Sequence, residues 1–194
     1  MTDSPRRGRP GYDRTQALDA AVAVFNEQGY DGTSIAALAD RMGVTKSALY
    51  HHFDSKEAIL AAALGVALDG LDNVIAAAES APGSALDRLT HAITGAVRLL
   101  VLEKASVTLL LRVRGNSATE RAALERRRDF DARVAALVSA AQASGSVRRD
   151  VDARTAARLL FGTVNSVVEW YRGDDADGLA RDVVAIGLDG LRVR

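Results

Sequence analysis

The sequence TSIAALADRMGVTKSALYHHF, residues 33–53, predicts two short helices joined by a tight turn. The first helix has apolar residues at positions i, i+3, i+4 and i+7, namely Ile35, Leu38, Ala39 and Met42. Thr33 stands where its hydroxyl can cap the free amides at the start of this helix. Gly43 then provides the permissive backbone that a sharp turn between two helices needs.

The second helix of this stretch has an apolar face and a polar face. Its predicted inward face consists of Val44, Ala48, Leu49 and Phe53. The outward side chains can all donate hydrogen bonds, and they are Thr45, Lys46, Ser47, Tyr50 and His51. A helix that reads a major groove needs short polar side chains toward base edges and longer or cationic ones toward phosphates. An ordinary solvated face would also be polar, but five donors on one short helix after a glycine turn favour contact with DNA.

Residues 14–60 resemble the DNA-binding domain of TetR-type (tetracycline-repressor-like) transcriptional regulators. The matching segments occur in order at fixed spacing: FNEQGYDGTS, then IAALADRMGVTKSALYHHF, then SKEAIL. The resemblance implies an all-α homodimer with a small domain that binds operator DNA and a larger helical domain that binds a small effector.

Composition is consistent with a helical chain that has a sizeable core. The 194 residues are 48% hydrophobic and include three prolines and no cysteine, so disulfides and thiolate metal sites are excluded. The N-terminus is charged and lacks an apolar run, and the apolar stretches are shorter than a membrane span. We therefore expect a cytoplasmic protein with no membrane partner.

The charge balance does not by itself indicate a DNA-binding protein. The net charge is zero, and residues 1–60 contain seven basic and eight acidic side chains. Because phosphates respond to charge within a Debye length of ~8 Å, the local arrangement has to provide the attraction.

Three segments are predicted. Residues 1–13, MTDSPRRGRPGYD, are predicted to be a flexible arm. Its three arginines, Arg6, Arg7 and Arg9, either enter a minor groove or belong to a disordered terminus. Residues 14–54 form the predicted helix-turn-helix domain. Residues 55–194 form the predicted effector-binding and dimerisation domain. Thr33 and Lys56 are expected on phosphates at the edge of the DNA surface.

About nine helices are expected. The fourth opens at Asp54 and runs to about Ala78, and Ser84, Ser117 and Asp152 are expected to cap the fifth, seventh and eighth. The apolar segment SVTLLLRV is assigned to a sixth helix because no partner strand is predicted nearby, and the ninth helix is expected after Gly178.

The predicted effector cavity is mostly apolar and lies among the fourth to eighth helices. Its expected residues are Phe130, Val134, Phe161, Asn165 and Trp170, with Arg112 and Arg114 toward an anionic part of the ligand. The segments LLLRVRGNSATERAALERRRDFDARV and RLLFGTVNSVVEWYR resemble a branch of the family that senses acyl-CoA thioesters. An acyl- or aryl-CoA thioester would match both features. The alternative is a neutral hydrophobic compound, as for a regulator of drug efflux.

A two-fold dimer is expected because one short recognition helix reads too few base pairs for specificity. The predicted interface residues on the eighth and ninth helices are Leu159, Val167, Tyr171, Val183 and Ile186.

No catalytic constellation is found, so the sequence predicts no enzyme and no cofactor. A glycine-rich phosphate loop and a Gly-x-Ser-x-Gly elbow are both missing from the sequence. The adjacent His51 and His52 point to different sides of a helix and do not converge on a metal ion. Two alternatives stay open: a helical enzyme or carrier with a structural N-terminal bundle, and an architectural DNA-binding protein with no effector.

Overall fold

The computed structural model describes residues 13–191, and within this range the chain forms nine α-helices. Their bounds are α1 (Arg14–Gln28), α2 (Ile35–Met42), α3 (Lys46–His52), α4 (Lys56–Ser80), α5 (Ala85–Leu102), α6 (Lys104–Arg112), α7 (Ala118–Ala143), α8 (Ala153–Trp170) and α9 (Ala176–Asp189). The all-α prediction is confirmed, including the assignment of SVTLLLRV to a helix. The predicted arm lies outside the described residues, except for Asp13, whose side chain caps α1.

The chain divides into two compact units, the first ending at Ala63 and the second beginning at Leu64. The division falls inside α4, whereas the predicted domain boundary lies at residue 54 and stays a prediction. The first unit has a small core to which each of its first three helices contributes a fully buried residue, namely Phe25, Leu38 and Leu49. This shared core fixes α3 against α1 and α2.

The second unit is built around α5, which packs against α6, α7, α8 and α9. The reason is the apolar face of α5, where Leu89, Ile93 and Val97 are fully buried. Leu188 of α9 and Val138 of α7 are also fully buried. Helices α7 and α8 pack against each other, and this pairing forms most of the cavity described below.

The predicted caps of α5, α7 and α8 are confirmed. Ser84 and Ser117 each form a capping box, and the Asp152 side chain accepts from the Thr155 amide at 3.0 Å. Gly29 ends α1, as predicted, with a φ of 80° that favours glycine.

Three predicted helix starts are wrong by one to three residues. Ser34 caps α2, because its hydroxyl accepts from the Ala37 amide at 3.1 Å. Ser55, and not Asp54, accepts from the third residue of α4. Helix α9 begins before Gly178, with Asp175 as the cap. In each case the cap is the neighbouring residue whose oxygen lies within reach of the free amides.

Helix α4 differs from the expectation that the apolar stretches are too short to cross a membrane. By length and composition alone, its 25 residues could span one. The same features are typical of a core helix, and Ile59, Leu64, Leu68 and Ile75 of α4 are buried. These buried residues give α4 the apolar face of a core helix, and 39% of its apolar window is buried.

Candidate nucleic-acid interface and ligand cavity

The turn between α2 and α3 holds the second helix at a defined angle. Gly43 adopts the left-handed conformation, with φ 64° and ψ 32°, and its amide returns to backbone oxygens of α2. The Val44 amide donates to the backbone oxygen of Ala39 at 3.0 Å. Thr45 then caps α3 by accepting from the Ala48 amide at 3.2 Å. The local sequence thus ends one helix and begins the next within three residues.

The predicted outward face of α3 is exposed at every position. Its residues are Thr45, Lys46, Ser47, Tyr50 and His51. Tyr50 is a large side chain of which 51% is exposed, and its neighbours Leu49 and Phe53 are buried. Ala48, predicted to face inward, is exposed and lines a groove beside Ala17 of α1 and Met42 of α2.

Thr33 has a structural role that differs from both predicted roles. Only 2% of the residue is exposed, and its hydroxyl donates to the backbone oxygen of Gly29 at 2.7 Å. The prediction that Thr33 caps α2 is wrong, since Ser34 does so. A buried, engaged hydroxyl is not available to a phosphate, so Thr33 is not part of the candidate DNA surface.

Lys56 is also engaged within the chain. Its ammonium donates to the backbone oxygens of Tyr30 and Thr33, at 3.0 and 2.9 Å. It lies 4.2 Å from the centre of the Tyr30 ring. Lys46, by contrast, is exposed on the candidate surface.

A cavity of about 210 Å³ opens between α7 and α8. Its charged residues are Arg128 and Asp131 from α7 and Arg154 and Arg158 from α8. Val134 and Phe161, both predicted to contact ligand, form part of its apolar wall. The opening is therefore a basic mouth with one carboxylate in it.

A smaller inner chamber of about 30 Å³ shares Asp131 and Phe161 with the mouth. Phe130 and Asn165, two further predicted residues, line this chamber together with apolar side chains of α5 and α6. The rings of Phe130 and Phe161 meet edge to face with their centres 5.2 Å apart. The chamber has room for about two water molecules, so a larger ligand requires the side chains around it to move.

Three predicted ligand residues lie outside both cavities. Arg112 and Arg114 are exposed, and 57% of Trp170 is exposed at the end of α8. Contact of these three residues with a ligand stays a prediction, since the mouth opens between α7 and α8. The arginines that do line the mouth, Arg154 and Arg158, were missed. Their spacing of i and i+4, followed by Phe161 at i+7, is the signal that places all three on one face of α8.

The position of Asp131 shifts the pKa of its carboxylate. Loss of hydration raises its pKa above the ordinary value of 3.8, and the nearby charges of Arg127 and Arg158 oppose this rise. A negative ligand group in the mouth would be attracted by the arginines and repelled by an ionised Asp131.

The surfaces of α8 and α9 expose large apolar side chains. Leu159 is 66% exposed and Ile186 is 77% exposed. Val167 and Val183, also predicted for a dimer interface, are buried in the core of the chain itself, so their prediction is wrong. Tyr171 is half-buried, and its hydroxyl donates to the backbone oxygen of Asp175 at 2.9 Å.

No group of three or more His, Asp or Glu side chains that could hold a metal ion occurs in residues 13–191. The rings of His51 and His52 are 5.3 Å apart and meet edge to face.

Two family models match this chain and together cover both units. The model of bacterial regulatory proteins of the tetR family matches residues 17–63, and that of the tetracyclin repressor-like C-terminal domain matches residues 82–191. The chain belongs to the TetR family. The resemblance on which the all-α, two-domain prediction depended is confirmed.

Individual relatives agree with this assignment. The chain is 30% identical to the HTH-type transcriptional repressor KstR2 of Rhodococcus jostii, and the match covers 98% of each protein. SCO3833 of Streptomyces coelicolor A3, a TetR-family member, is 44% identical, with a TM-score of 0.85 over 100% of this chain and 96% of that one. The match to IcaR, a negative regulator of the biofilm operon in Staphylococcus aureus, is 33% identical over 76 residues, 39% of this chain and about two fifths of the length of that relative.

Proposed function

We propose that this TetR-family chain is a cytoplasmic transcriptional repressor that binds operator DNA as a homodimer and leaves it when a small molecule binds. The observation that carries the proposal is the α3 surface, where hydroxyl, ammonium, phenol and imidazole groups are exposed together on a helix held by a buried core. KstR2, similar over nearly its whole length, is itself a transcriptional repressor. An enzyme or carrier would leave this surface without a role.

The proposed contacts divide by chemistry. Thr45, Ser47 and Tyr50 carry hydroxyls that can hydrogen-bond to base edges or phosphates, and Lys46 carries the charge. His51 extends the same surface by one turn. Two such helices, one from each protomer, would read half-sites ~34–36 Å apart on a pseudo-palindrome, or modestly farther apart.

The test uses duplexes that the wild-type protein selects from a random pool, with binding followed by fluorescence anisotropy. Lys46→Ala combined with Tyr50→Ala is expected to weaken operator binding, because a good base contact contributes ~1–3 kcal/mol. Arg114→Ala is the control, since it removes an exposed positive charge from the second unit. Operator affinity equal to that of the wild type in the double variant would show that α3 does not read DNA.

The proposed effector is an amphipathic anion. The arginines at the mouth favour phosphate or carboxylate groups, and the inner chamber favours an apolar group beside Phe130 and Phe161. An acyl- or aryl-CoA thioester has both parts. A neutral hydrophobic compound would use the chamber and leave the arginines solvated.

The effector is expected to act through a change of shape. The inner chamber holds only about 30 Å³, so the ligand is expected to prefer a conformation in which the Phe130–Phe161 contact is opened. DNA is released only if, in that same conformation, the distance between the two recognition helices no longer matches the spacing of the operator half-sites. A ligand that bound both conformations equally well would not release DNA.

The test is titration calorimetry with a panel of CoA thioesters and the corresponding free acids. A thioester is expected to bind more tightly than its free acid, and Arg154→Ala with Arg158→Ala is expected to remove that difference. The pair Arg112→Ala and Arg114→Ala is the matched control, because these arginines lie outside both cavities. Equal binding of thioester and acid would leave the repressor proposal in place and rule out the CoA proposal.

A further inference from the structure

Lys56, the first residue of α4, has its donors directed into the protein. Its ammonium donates to two backbone oxygens, those of Tyr30 and Thr33, at 3.0 and 2.9 Å. The same nitrogen lies 4.2 Å from the centre of the Tyr30 ring, within the range of a cation–π contact. An ammonium has three N–H donors and no acceptor. Two of the three donors are therefore engaged by carbonyls, and the charge lies against the Tyr30 ring.

The acceptors belong to the turn that connects α1 to α2. Within the turn, the Thr33 amide donates to the Tyr30 oxygen at 3.2 Å, and the Thr33 hydroxyl ties the turn to Gly29 at the end of α1. The Tyr30 ring meets Phe25 of α1 edge to face, with centres 5.3 Å apart. Ser34, the cap of α2, follows immediately. A contact that holds this turn in place therefore also fixes the position at which α2 begins.

We propose that Lys56 is a positioning residue for DNA binding, and that its ammonium holds the α1–α2 turn on the start of α4 instead of contacting a phosphate. Its effect on DNA rests on the proposed repressor function, whereas the contact itself is a property of the protein without DNA. Helix α2 packs against α3 and contributes the fully buried Leu38 to the shared core, so a displaced α2 displaces the recognition helix.

A phosphate contact would require the ammonium to give up one of its present partners. The carbonyl left behind would lose a charge-assisted hydrogen bond, which is stronger than a neutral one. Lys46 has no such conflict, because it is exposed on α3. The two lysines of the first unit therefore have different roles, and Lys46 is the one suited to contact DNA.

The first experiment measures amide hydrogen exchange by NMR in the protein without DNA. Lys56→Met keeps a long apolar side chain and removes every donor, so the amides of Thr33 and Ala37 are expected to exchange faster than in the wild type. Lys46→Met is the matched control and is expected to leave both amides unchanged. Unchanged exchange at both amides in Lys56→Met would overturn the proposal.

The second experiment measures affinity for the selected operator and for an unrelated duplex across a range of salt concentrations. In Lys56→Met, operator affinity is expected to fall about tenfold, equivalent to about 1.4 kcal/mol. Affinity for the unrelated duplex and the salt dependence are expected to stay as in the wild type. Loss of a phosphate contact would instead reduce the slope of log K against log salt by about 0.9 and weaken both duplexes. That result, or unchanged operator affinity, would overturn the proposal.

Lys56→Arg covers the case in which the methionine variant fails to fold. It keeps the charge but replaces the compact ammonium with a longer planar group that does not fit the same two carbonyls and ring face. Reduced operator affinity with an unchanged salt slope supports positioning, and wild-type affinity and slope would overturn it. If the wild-type protein selects no DNA at all, the repressor proposal fails, and the exchange experiment alone decides whether Lys56 holds the turn.

Discussion

Replacing Leu159 and Ile186 together by alanine is expected to convert the proposed dimer into a monomer. Both side chains are large, apolar and mostly exposed, and they lie on the two helices at which a two-fold interface is proposed. In an isologous interface each residue is buried twice, once in each protomer. Their removal should therefore act on association and leave the fold of the protomer intact.

The expected magnitude follows from the exposed fractions. Each substitution deletes three carbon groups, for which burial contributes ~0.8 kcal/mol each. In the protomer, 66% of Leu159 and 77% of Ile186 is exposed and available for burial in the dimer. The two substitutions therefore remove ~1.6 and ~1.8 kcal/mol of association free energy per protomer. Two-fold symmetry doubles them to ~7 kcal/mol, which raises the dimer Kd by at most about five powers of ten.

Sedimentation velocity over a concentration series measures this change directly. The wild type is expected to be a dimer at micromolar concentration and the double variant a monomer. Leu102→Ala is the matched control, because Leu102 is 77% exposed, as Ile186 is, but lies at the end of α5. Operator binding should weaken in parallel, since two half-sites can no longer be read together.

Two results would refute this reasoning. A double variant that dimerises as tightly as the wild type would show that the exposed apolar residues of α8 and α9 are not the interface. A comparable loss of dimer in Leu102→Ala would place the interface on another surface of the second unit. Circular dichroism on each variant separates dissociation from unfolding.

Three further predictions concern single side chains. The hydrogen bond from Arg133 lowers the pKa of Glu79 below 4.5, so Glu79→Gln should reduce unfolding free energy at pH 7 by ~0.2–1 kcal/mol. Urea titrations should show that this difference disappears as the pH falls through the lowered pKa, because the wild type then loses its carboxylate. The pKa of Asp131 is raised, so its ionised form opposes folding above pH 3.8. Asp131→Asn should therefore raise the melting temperature more at pH 7 than at pH 3. Calorimetry should also show that the variant binds anionic ligands more tightly than the wild type does. Ser117→Ala should destabilise the protein by ~0.5–2 kcal/mol in urea, because it removes the capping box of α7.

Local features of the sequence were sufficient for the helices and for the face of α3. Capping residues, terminal glycines and apolar faces determine where each helix begins and ends, because hydrogen bonds between residues a few positions apart form the helix ends. The exposure of Lys46 and Tyr50 follows from the burial of Leu49 and Phe53 on the same short helix. The three misplaced helix starts are errors of one to three residues between neighbouring capping residues.

The tertiary structure decided which of several apolar or basic faces meet. Helical periodicity shows that Val167 and Val183 lie on apolar faces, but only packing shows that these faces are buried inside the protomer. In the same way, the sequence offers many arginines, and only the pairing of α7 with α8 shows that Arg154 and Arg158 line one cavity. The partners of Lys56 are carbonyls 23 and 26 residues earlier in the chain, and a contact over that distance exists only when folding brings α4 beside the α1–α2 turn.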